Sequence, residues 1–263
     1  MFTLITIHIS IEFLLVLKIS KQLVLCPGLP RSGTTSLWHM LSDANFFTIP
    51  CKEPHFLTVL SGDETDSPTF FPKEYKDRYH QYVYESNKQY ININPPYSLE
   101  LYKSYIKNYS YDFSQSYWYI AEDYLREVKK SLSDVDIKVI LLYRDPVQRL
   151  FSLCNLLYHN WNLDISPIEL YYLSLDRDDN INLYSNLFQK YKNVFQKVIC
   201  LKTESFFNNF EEQQKLLKFL DLPSSNLKSV YVNESNVCNQ LSDEDIAVGK
   251  QKLKPSYDFY HSL

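Results

Sequence analysis

Two short segments of this 263-residue chain combine glycine, hydroxyl and arginine side chains in patterns that suit phosphate binding. The first, residues 28–35, reads GLPRSGTT and has the G-x-x-x-x-G spacing of a phosphate loop. Glycines let the backbone turn so that successive N–H groups point inward, and the following helix offers its positive N-terminus to the anion. Nucleotide triphosphatases need a lysine after the second glycine, but Thr34 stands there and the cation is Arg31. The segment therefore indicates an anion site that differs from a kinase loop.

The second segment, residues 144–152 (RDPVQRLFS), directly follows the apolar run 137–143. Arg144 offers a forked donor to a phosphate group, and the hydroxyl of Ser152 adds another donor near the start of a helix. The alternative interpretation is a salt bridge from Arg144 to Asp145 or a neighbour, with Ser152 as an ordinary helix residue. Two such loops in this order, each after a predicted strand, favour a nucleotide site.

These segments resemble those of the sulfotransferases that use 3′-phosphoadenosine 5′-phosphosulfate (PAPS). PRSGTTSL is similar to the 5′-phosphosulfate loop of that family, and RDPVQRLFS is similar to its 3′-phosphate segment, RxPxxRxxS. The resemblance implies that Arg31 neutralises the phosphosulfate and the bridging oxygen, and that Arg144 and Ser152 bind the 3′-phosphate. It also implies that the 5′-phosphate is held by the rest of the loop, Ser32, Gly33, Thr34 and Thr35.

Residues 52–56 (KEPHF) resemble a segment of the heparan-type and related bacterial sulfotransferases in which the glutamate is taken to be the general base. Transfer of a sulfuryl group to a hydroxyl or amine requires that the attacking group lose its proton. A carboxylate near an anionic cofactor has a raised pKa, which makes it a better base. Glu53 is therefore the predicted base. His55 is the alternative base, because cytosolic members use a histidine, and Lys52 is predicted to contact the cofactor or to hold Glu53. An ordinary surface turn is the remaining interpretation.

Residues 112–117 (DFSQSY) are similar to the E/D-x-S/T-P-S-Y stretch that lines the cleft of heparan-type members. Gln115 replaces the proline, and Phe113 replaces a cleft lysine that some members carry. These departures disfavour heparan sulfate as the acceptor. The alternative role is a helix N-cap at Ser114 or Ser116.

A small basic cluster lies near the end of the sequence, at residues 249–254. The family often closes a basic loop over the 3′-phosphoadenosine, which makes Lys250, Lys252 and Lys254 candidate cofactor ligands. The alternative is a solvated helix face.

Composition limits the class of partner and compartment. A net charge of −4 argues against a dedicated nucleic-acid binder, which would usually carry a basic excess, but it leaves room for a local basic pocket that binds a small anion. Five scattered cysteines indicate reduced thiols in a cytoplasmic compartment, and no His/Cys cluster has zinc spacing, so no metal is expected. The resemblance of the KEPHF segment favours a hydroxyl or amine of a carbohydrate as the acceptor, on a small molecule or an oligosaccharide.

The first twenty residues are apolar but contain His8 and Glu12. Their alternation of apolar and polar residues is typical of an extra strand or a packed segment. A membrane anchor formed by residues 1–20 is the alternative.

Strand and helix patterns alternate along the rest of the chain, which predicts one domain over residues 21–263. The expected architecture is an α/β, P-loop-type three-layer fold with a central parallel sheet flanked by helices. A P-loop nucleotide or metabolite kinase and a non-catalytic nucleotide-binding relative remain the rival functions. The predicted strands are 21–26, 46–50, 137–143 and 197–201, and the predicted helices are 73–86, 98–109, 116–131, 184–193 and 211–220.

Overall fold

The computed structural model describes residues 22–46, 52–61, 98–161, 164–176, 183–228 and 241–263. Its strands are β1 Gln22–Leu25, β2 Tyr111–Asp112, β3 Asp136–Tyr143 and β4 Lys197–Lys202. Its first five α-helices are α1 Thr34–Asp43, α2 Phe56–Ser61, α3 Leu99–Asn108, α4 Glu122–Ser131 and α5 Pro146–Trp161. The later ones are α6 Pro167–Leu175, α7 Leu183–Val194, α8 Thr203–Phe206, α9 Phe210–Phe219, α10 Asp243–Lys252 and α11 Lys254–Ser262. A 3₁₀ helix spans Gln115–Tyr119.

The four described strands form one parallel sheet in the order β2-β1-β3-β4. Leu23 lies beside Ile137, and Val139 lies beside Val198. Successive residues of a strand point to opposite faces, yet every residue from 137 to 143 is buried. Helices therefore cover both faces of the sheet, which confirms the predicted three-layer α/β fold.

The apolar patterns of the sequence locate most of these elements correctly. The strands predicted at 21–26, 137–143 and 197–201 are β1, β3 and β4. The helices predicted at 98–109, 184–193 and 211–220 are α3, α7 and α9. In α1 the leucine and methionine side chains with helical spacing are buried in the core, as their pattern predicts: Leu37, Met40 and Leu41.

The single helix predicted over residues 116–131 is wrong. The 3₁₀ helix ends at Tyr119, and α4 begins at Glu122 after two residues of extended backbone. The side chain of Lys190 donates to the carbonyls of Trp118 and Ile120. Because these carbonyls are satisfied from α7, the backbone does not need to continue the helical hydrogen bonds.

The helix predicted at 98–109 belongs to the core of the domain. Tyr102 and Tyr105 of α3 are buried in the core, and α3 leads directly into β2. β2 has only two residues, Tyr111 and Asp112, paired with Val24 and Leu25 of β1. A strand this short has no periodicity, so the sequence pattern could not predict it.

Three predictions lie outside the described residues: the extra strand or anchor in residues 1–20, the strand at 46–50 beyond residue 46, and the helix at 73–86. Within the described ranges, no helix is both long and apolar enough to cross a membrane.

Candidate active site

The candidate site lies at the carboxyl edge of the sheet, where all four parallel strands end. The chain leaves β1 toward β2 on one side, whereas β3 lies on the other side of β1. In open α/β sheets this reversal of strand order opens a crevice that binds ligands. Residues 28–35 lead from β1 into the start of α1, and residues 144–152 lead from β3 into the first turns of α5, so the two predicted phosphate segments flank this point.

The phosphate loop has the backbone conformation that its glycines allow. Gly33 has φ 91° and is the N-cap of α1, where no side chain caps the helix. Gly28 leaves room for the loop to close on itself, because a Cβ there would lie 2.1 Å from the Cγ2 of Thr34. Arg31 has φ 71°, a left-handed conformation that costs a non-glycine residue about 1–2 kcal/mol. Such strain persists where the surrounding structure fixes it and often marks a functional site.

Neighbouring segments hold the loop while leaving one of its hydroxyls unused. Thr203 Oγ1 donates to the carbonyl of Ser32 at 2.7 Å, and Gln115 Nε2 donates to Thr34 Oγ1 at 2.7 Å. Ser32 is 0% exposed, and its Oγ has no hydrogen-bond partner among the described residues. Buried hydroxyls without partners are rare, which makes Ser32 Oγ a candidate ligand contact.

The two phosphate segments meet through their arginines. Arg31 Nε donates to Ser152 Oγ at 2.9 Å, across 121 residues of sequence. Arg144 Nη1 donates to the carbonyl of Arg31 at 3.3 Å. Burial, together with the positive charge of Arg144, lowers the pKa of Arg31. The two guanidinium groups repel each other, and a bound anion would relieve this repulsion.

Asp145 holds the start of α5 rather than neutralising Arg144. Its Oδ1 accepts from the backbone N–H of Gln148 at 3.0 Å, and both oxygens accept from Tyr257 Oη at 2.8 Å. Glu204 accepts from the N–H of Asp145 at 2.8 Å. The salt bridge between Arg144 and Asp145 that the sequence left open is therefore absent from the contacts of the described residues.

The KEPHF segment brings three ionisable side chains into contact. Lys52 Nζ forms an ion pair with Glu53 Oε1, and His55 Nε2 lies 3.4 Å from Glu53 Oε2. The side chain of Glu53 is 26% exposed, whereas that of His55 is 3% exposed. His55 has φ 52°, a second left-handed non-glycine residue in the site.

A chain of hydroxyl groups continues behind His55. Its Nδ1 lies 2.6 Å from Ser116 Oγ, which lies 2.6 Å from Thr58 Oγ1. Burial lowers the pKa of His55 to about 4, so the ring is neutral at pH 7. A neutral ring that accepts from Ser116 at Nδ1 carries its proton on Nε2, facing Glu53.

The lysines predicted to cover the cofactor lie on α10 and at the start of α11. Lys250 is exposed, and Lys252 forms an ion pair with Asp176 beyond the end of α6. Their role toward a cofactor stays a prediction. Among the described residues, no group of three His, Cys, Asp or Glu side chains could hold a metal ion.

Several residues that contact the site segments are not marked by any local pattern in the sequence. Asp112 is fully buried, and burial raises its pKa to about 6. Thr203 and Tyr257 support the phosphate segments from distant parts of the chain. Their types are common and their partners lie far away in sequence, so no local pattern marks them. Asp112 belongs to the DFSQSY segment, which the sequence relates only to the acceptor cleft or to a helix N-cap.

Comparison with known proteins identifies the fold. No protein-family model matches the chain, and no curated protein matches it significantly in sequence. A sulfotransferase from Alicyclobacillus acidocaldarius superposes with a TM-score of 0.58 and 17% identity, over 89% of this chain and 96% of that one. The sulfotransferase domain from the curacin biosynthetic pathway superposes with a TM-score of 0.51 and 14% identity, over 88% and 96%. The chain therefore has a sulfotransferase fold.

Proposed function

We propose that this protein is a PAPS-dependent sulfotransferase that sulfates a hydroxyl or amine acceptor. The observation that carries the proposal is the contact between Arg31 and Ser152, which joins a phosphosulfate-type loop to a 3′-phosphate-type segment. A nucleotide with phosphate groups at both the 5′ and 3′ positions needs two such segments side by side. The kinase alternative needs a lysine at position 34, where Thr34 instead accepts from Gln115.

The donor groups in the loop suit an anionic nucleotide. The N-terminus of α1 has no side-chain cap, so a bound phosphate can accept from its first backbone N–H groups. Ser32 Oγ is buried without a partner among the described residues and can donate to the same phosphate. Gly33, Thr34 and Thr35 complete this cradle. Arg149 Nε is a second buried donor without a partner in the described ranges, on the segment that would bind the 3′-phosphate.

When bound, PAPS supplies the sulfuryl group. Arg31 stabilises the negative charge that develops on the leaving phosphate oxygen, and Arg144 and Ser152 hold the 3′-phosphate. Because sulfuryl transfer crowds negative oxygens together, these residues act mainly by position and charge, by analogy with phosphoryl transfer.

Glu53 is the better candidate for the general base. Its carboxylate is partly exposed and can reach an acceptor, whereas His55 is buried and already contacts Ser116 at Nδ1. We assign His55 to orienting Glu53 through Nε2, and Lys52 to holding the other carboxylate oxygen. Glu53 would take the proton of the acceptor hydroxyl or amine as the new bond to sulfur forms.

The acceptor is proposed to be a small molecule or an oligosaccharide without a high density of sulfate groups. Phe113 stands where some heparan-type members carry a cleft lysine, and its side chain is 0% exposed. Gln115 is engaged with the phosphate loop. Neither residue supplies a cation for a polysulfated chain.

The test of the proposed function is calorimetric titration with 3′-phosphoadenosine 5′-phosphate (PAP), with AMP and magnesium-ATP as comparisons. We expect PAP to bind and AMP to bind much more weakly, because only PAP carries the 3′-phosphate. Arg144→Ala should weaken PAP binding by about 10- to 100-fold, the usual effect of losing a hydrogen-bonded charge. Arg126→Ala is the matched control, since Arg126 is exposed and pairs only with Glu122 on α4 among the described residues.

Preference for magnesium-ATP would overturn the proposal in favour of a kinase. PAP binding without transfer of sulfate from PAPS to any hydroxyl or amine in an acceptor screen would favour a non-catalytic relative.

A further inference from the structure

Asp112 is a buried carboxylate that collects hydrogen bonds from one small part of the chain. It lies at the end of β2 and is 0% exposed. Its Oδ1 accepts from Ser114 Oγ at 2.6 Å and from the N–H of Ser114 at 3.1 Å. Its Oδ2 accepts from Tyr117 Oη at 2.6 Å and from Tyr102 Oη at 3.1 Å. Among the described residues, no lysine or arginine forms an ion pair with it.

Two of these donors also hold the segment that carries the proposed base. Ser114 Oγ accepts from the N–H of His55 at 2.8 Å. Tyr117 Oη accepts from the N–H of Leu57 at 3.2 Å. On the other side of Glu53, the N–H of Phe113 donates to the carbonyl of Lys52 at 3.3 Å. The backbone is thus fixed on both sides of Glu53 by residues 113–117.

We propose that Asp112 is a positioning residue for Glu53, acting through the hydroxyls of Ser114 and Tyr117 on the backbone N–H groups of His55 and Leu57; this inference rests on the proposed function of Glu53. In this role Asp112 contacts neither the sulfate donor nor the molecule that accepts the sulfate. It fixes the direction of two hydroxyl groups.

The physical basis is the direction in which each hydroxyl donates. A hydroxyl that gives its proton to a carboxylate turns its lone pairs toward other donors and becomes a stronger acceptor. Because Ser114 and Tyr117 donate their hydroxyl protons to Asp112, the lone pairs of both oxygens are oriented to accept from a backbone N–H. His55 has a left-handed φ of 52°, which is unfavourable for a non-glycine residue. Without the hydrogen bond from its N–H to Ser114, the backbone at His55 would relax to a more favourable conformation. If the segment relaxes, the carboxylate of Glu53 moves with it.

The matched pair Tyr117→Phe and Tyr102→Phe tests this proposal. Both tyrosines are 0% exposed, and each substitution removes one hydroxyl from Asp112 Oδ2. The hydroxyl of Tyr117 also accepts from the N–H of Leu57, whereas Tyr102 contacts the base segment through its ring on Phe56, a contact that Tyr102→Phe would keep. We expect Tyr117→Phe to lower kcat for sulfate transfer by about 10- to 100-fold, the effect of a small misplacement of a catalytic group. Tyr102→Phe should stay within about twofold of the unaltered protein in kcat, and both variants should keep the same affinity for PAP.

Amide hydrogen exchange at His55 and Leu57 provides a readout that does not depend on activity. Exchange at Leu57 should be faster in Tyr117→Phe than in Tyr102→Phe, and Ser114→Ala should accelerate exchange at His55. A cooperative thermal unfolding transition in each variant serves as the control that the variant is folded.

Equal losses of kcat in the two tyrosine variants, or equal exchange rates at Leu57, would overturn the positioning role. An unaltered protein that transfers no sulfate would instead refute the proposed function, while the exchange rates would still decide whether Asp112 restrains the base segment.

Discussion

Replacing His55 with asparagine should change how the stability of the protein depends on pH. The side chain of His55 is buried, and burial lowers its pKa to about 4 from an ordinary value of 6.5. Above pH 6.5 the histidine is neutral in both the folded and unfolded protein and has no effect on the pH dependence. As the pH falls from 6.5 toward 4, only the unfolded protein binds the proton, so the free energy of unfolding decreases.

The size of this effect follows from the two pKa values. Each pKa unit corresponds to about 1.4 kcal/mol, so His55 should lower the free energy of unfolding by about 3 kcal/mol between pH 7 and pH 4. Asp112 acts in the opposite direction, because burial raises its pKa to about 6 from 3.8. The folded protein then binds a proton before the unfolded protein does, and stability rises by about 2 kcal/mol over the same range.

Urea unfolding at a series of pH values from 4 to 7.5 measures both contributions. Asparagine does not titrate, tolerates the left-handed backbone of position 55, and can still bond to Ser116. Relative to the unaltered protein, His55→Asn should gain about 3 kcal/mol of stability as the pH falls from 7 to 4, whereas Asp112→Asn should lose about 2 kcal/mol. Other carboxylates titrate in all three proteins and cancel in the differences. A difference between His55→Asn and the unaltered protein that stays constant with pH would refute the inference that His55 is buried and neutral.

Three further predictions concern the base, the loop and the core. Glu53→Gln should lower kcat by about 10²- to 10⁴-fold and leave the affinity for PAP unchanged in calorimetry; an unchanged kcat would assign the base elsewhere. Gly28→Ala should weaken PAP binding and destabilise the protein by about 1–3 kcal/mol, because the added Cβ would lie 2.1 Å from Thr34 Cγ2; wild-type binding and melting temperature would show that the loop is looser than described. Asp221→Asn should destabilise the protein by about 1 kcal/mol, because the carboxylate that pairs with the ammonium of Lys138 at 2.7 Å is itself 77% exposed and screened by water. Lys138→Met, which keeps an apolar side chain in the buried position, should be close to neutral in urea unfolding; a loss of about 3 kcal/mol or more in Asp221→Asn would show that water does not screen this pair.

The sequence predicted those parts of the fold whose physical cause is local. β3 is a continuous apolar run, and α1 follows a glycine-bearing loop with leucines on one face. The end of the 3₁₀ helix at Tyr119 depends on Lys190, a side chain some seventy residues away, and could not be predicted from the segment itself. β2 exists only because β1 offers an edge to its two residues.

In the candidate site, too, some residues could be predicted from local sequence, whereas others depend on contacts between distant parts of the chain. Arg31, Arg144 and Glu53 could be predicted because their segments resemble motifs of a known family. The preference for Glu53 over His55 required the structure, because it depends on which of the two side chains is buried. The positioning role that we propose for Asp112 could not be predicted from the sequence, because its partners come from α3, the 3₁₀ helix and its own loop, a combination that appears only after folding.

The contacts of α11 have a consequence for how the protein is made. Tyr257 of that helix holds Asp145 across 112 residues of sequence, and Tyr260 donates to Glu204 at 2.6 Å. During synthesis on the ribosome, β1, β3 and both phosphate segments emerge well before these tyrosines do. The nascent chain can therefore form its sheet early, but the segment that follows β3 acquires its full set of contacts only after α11 has been translated and released from the exit tunnel.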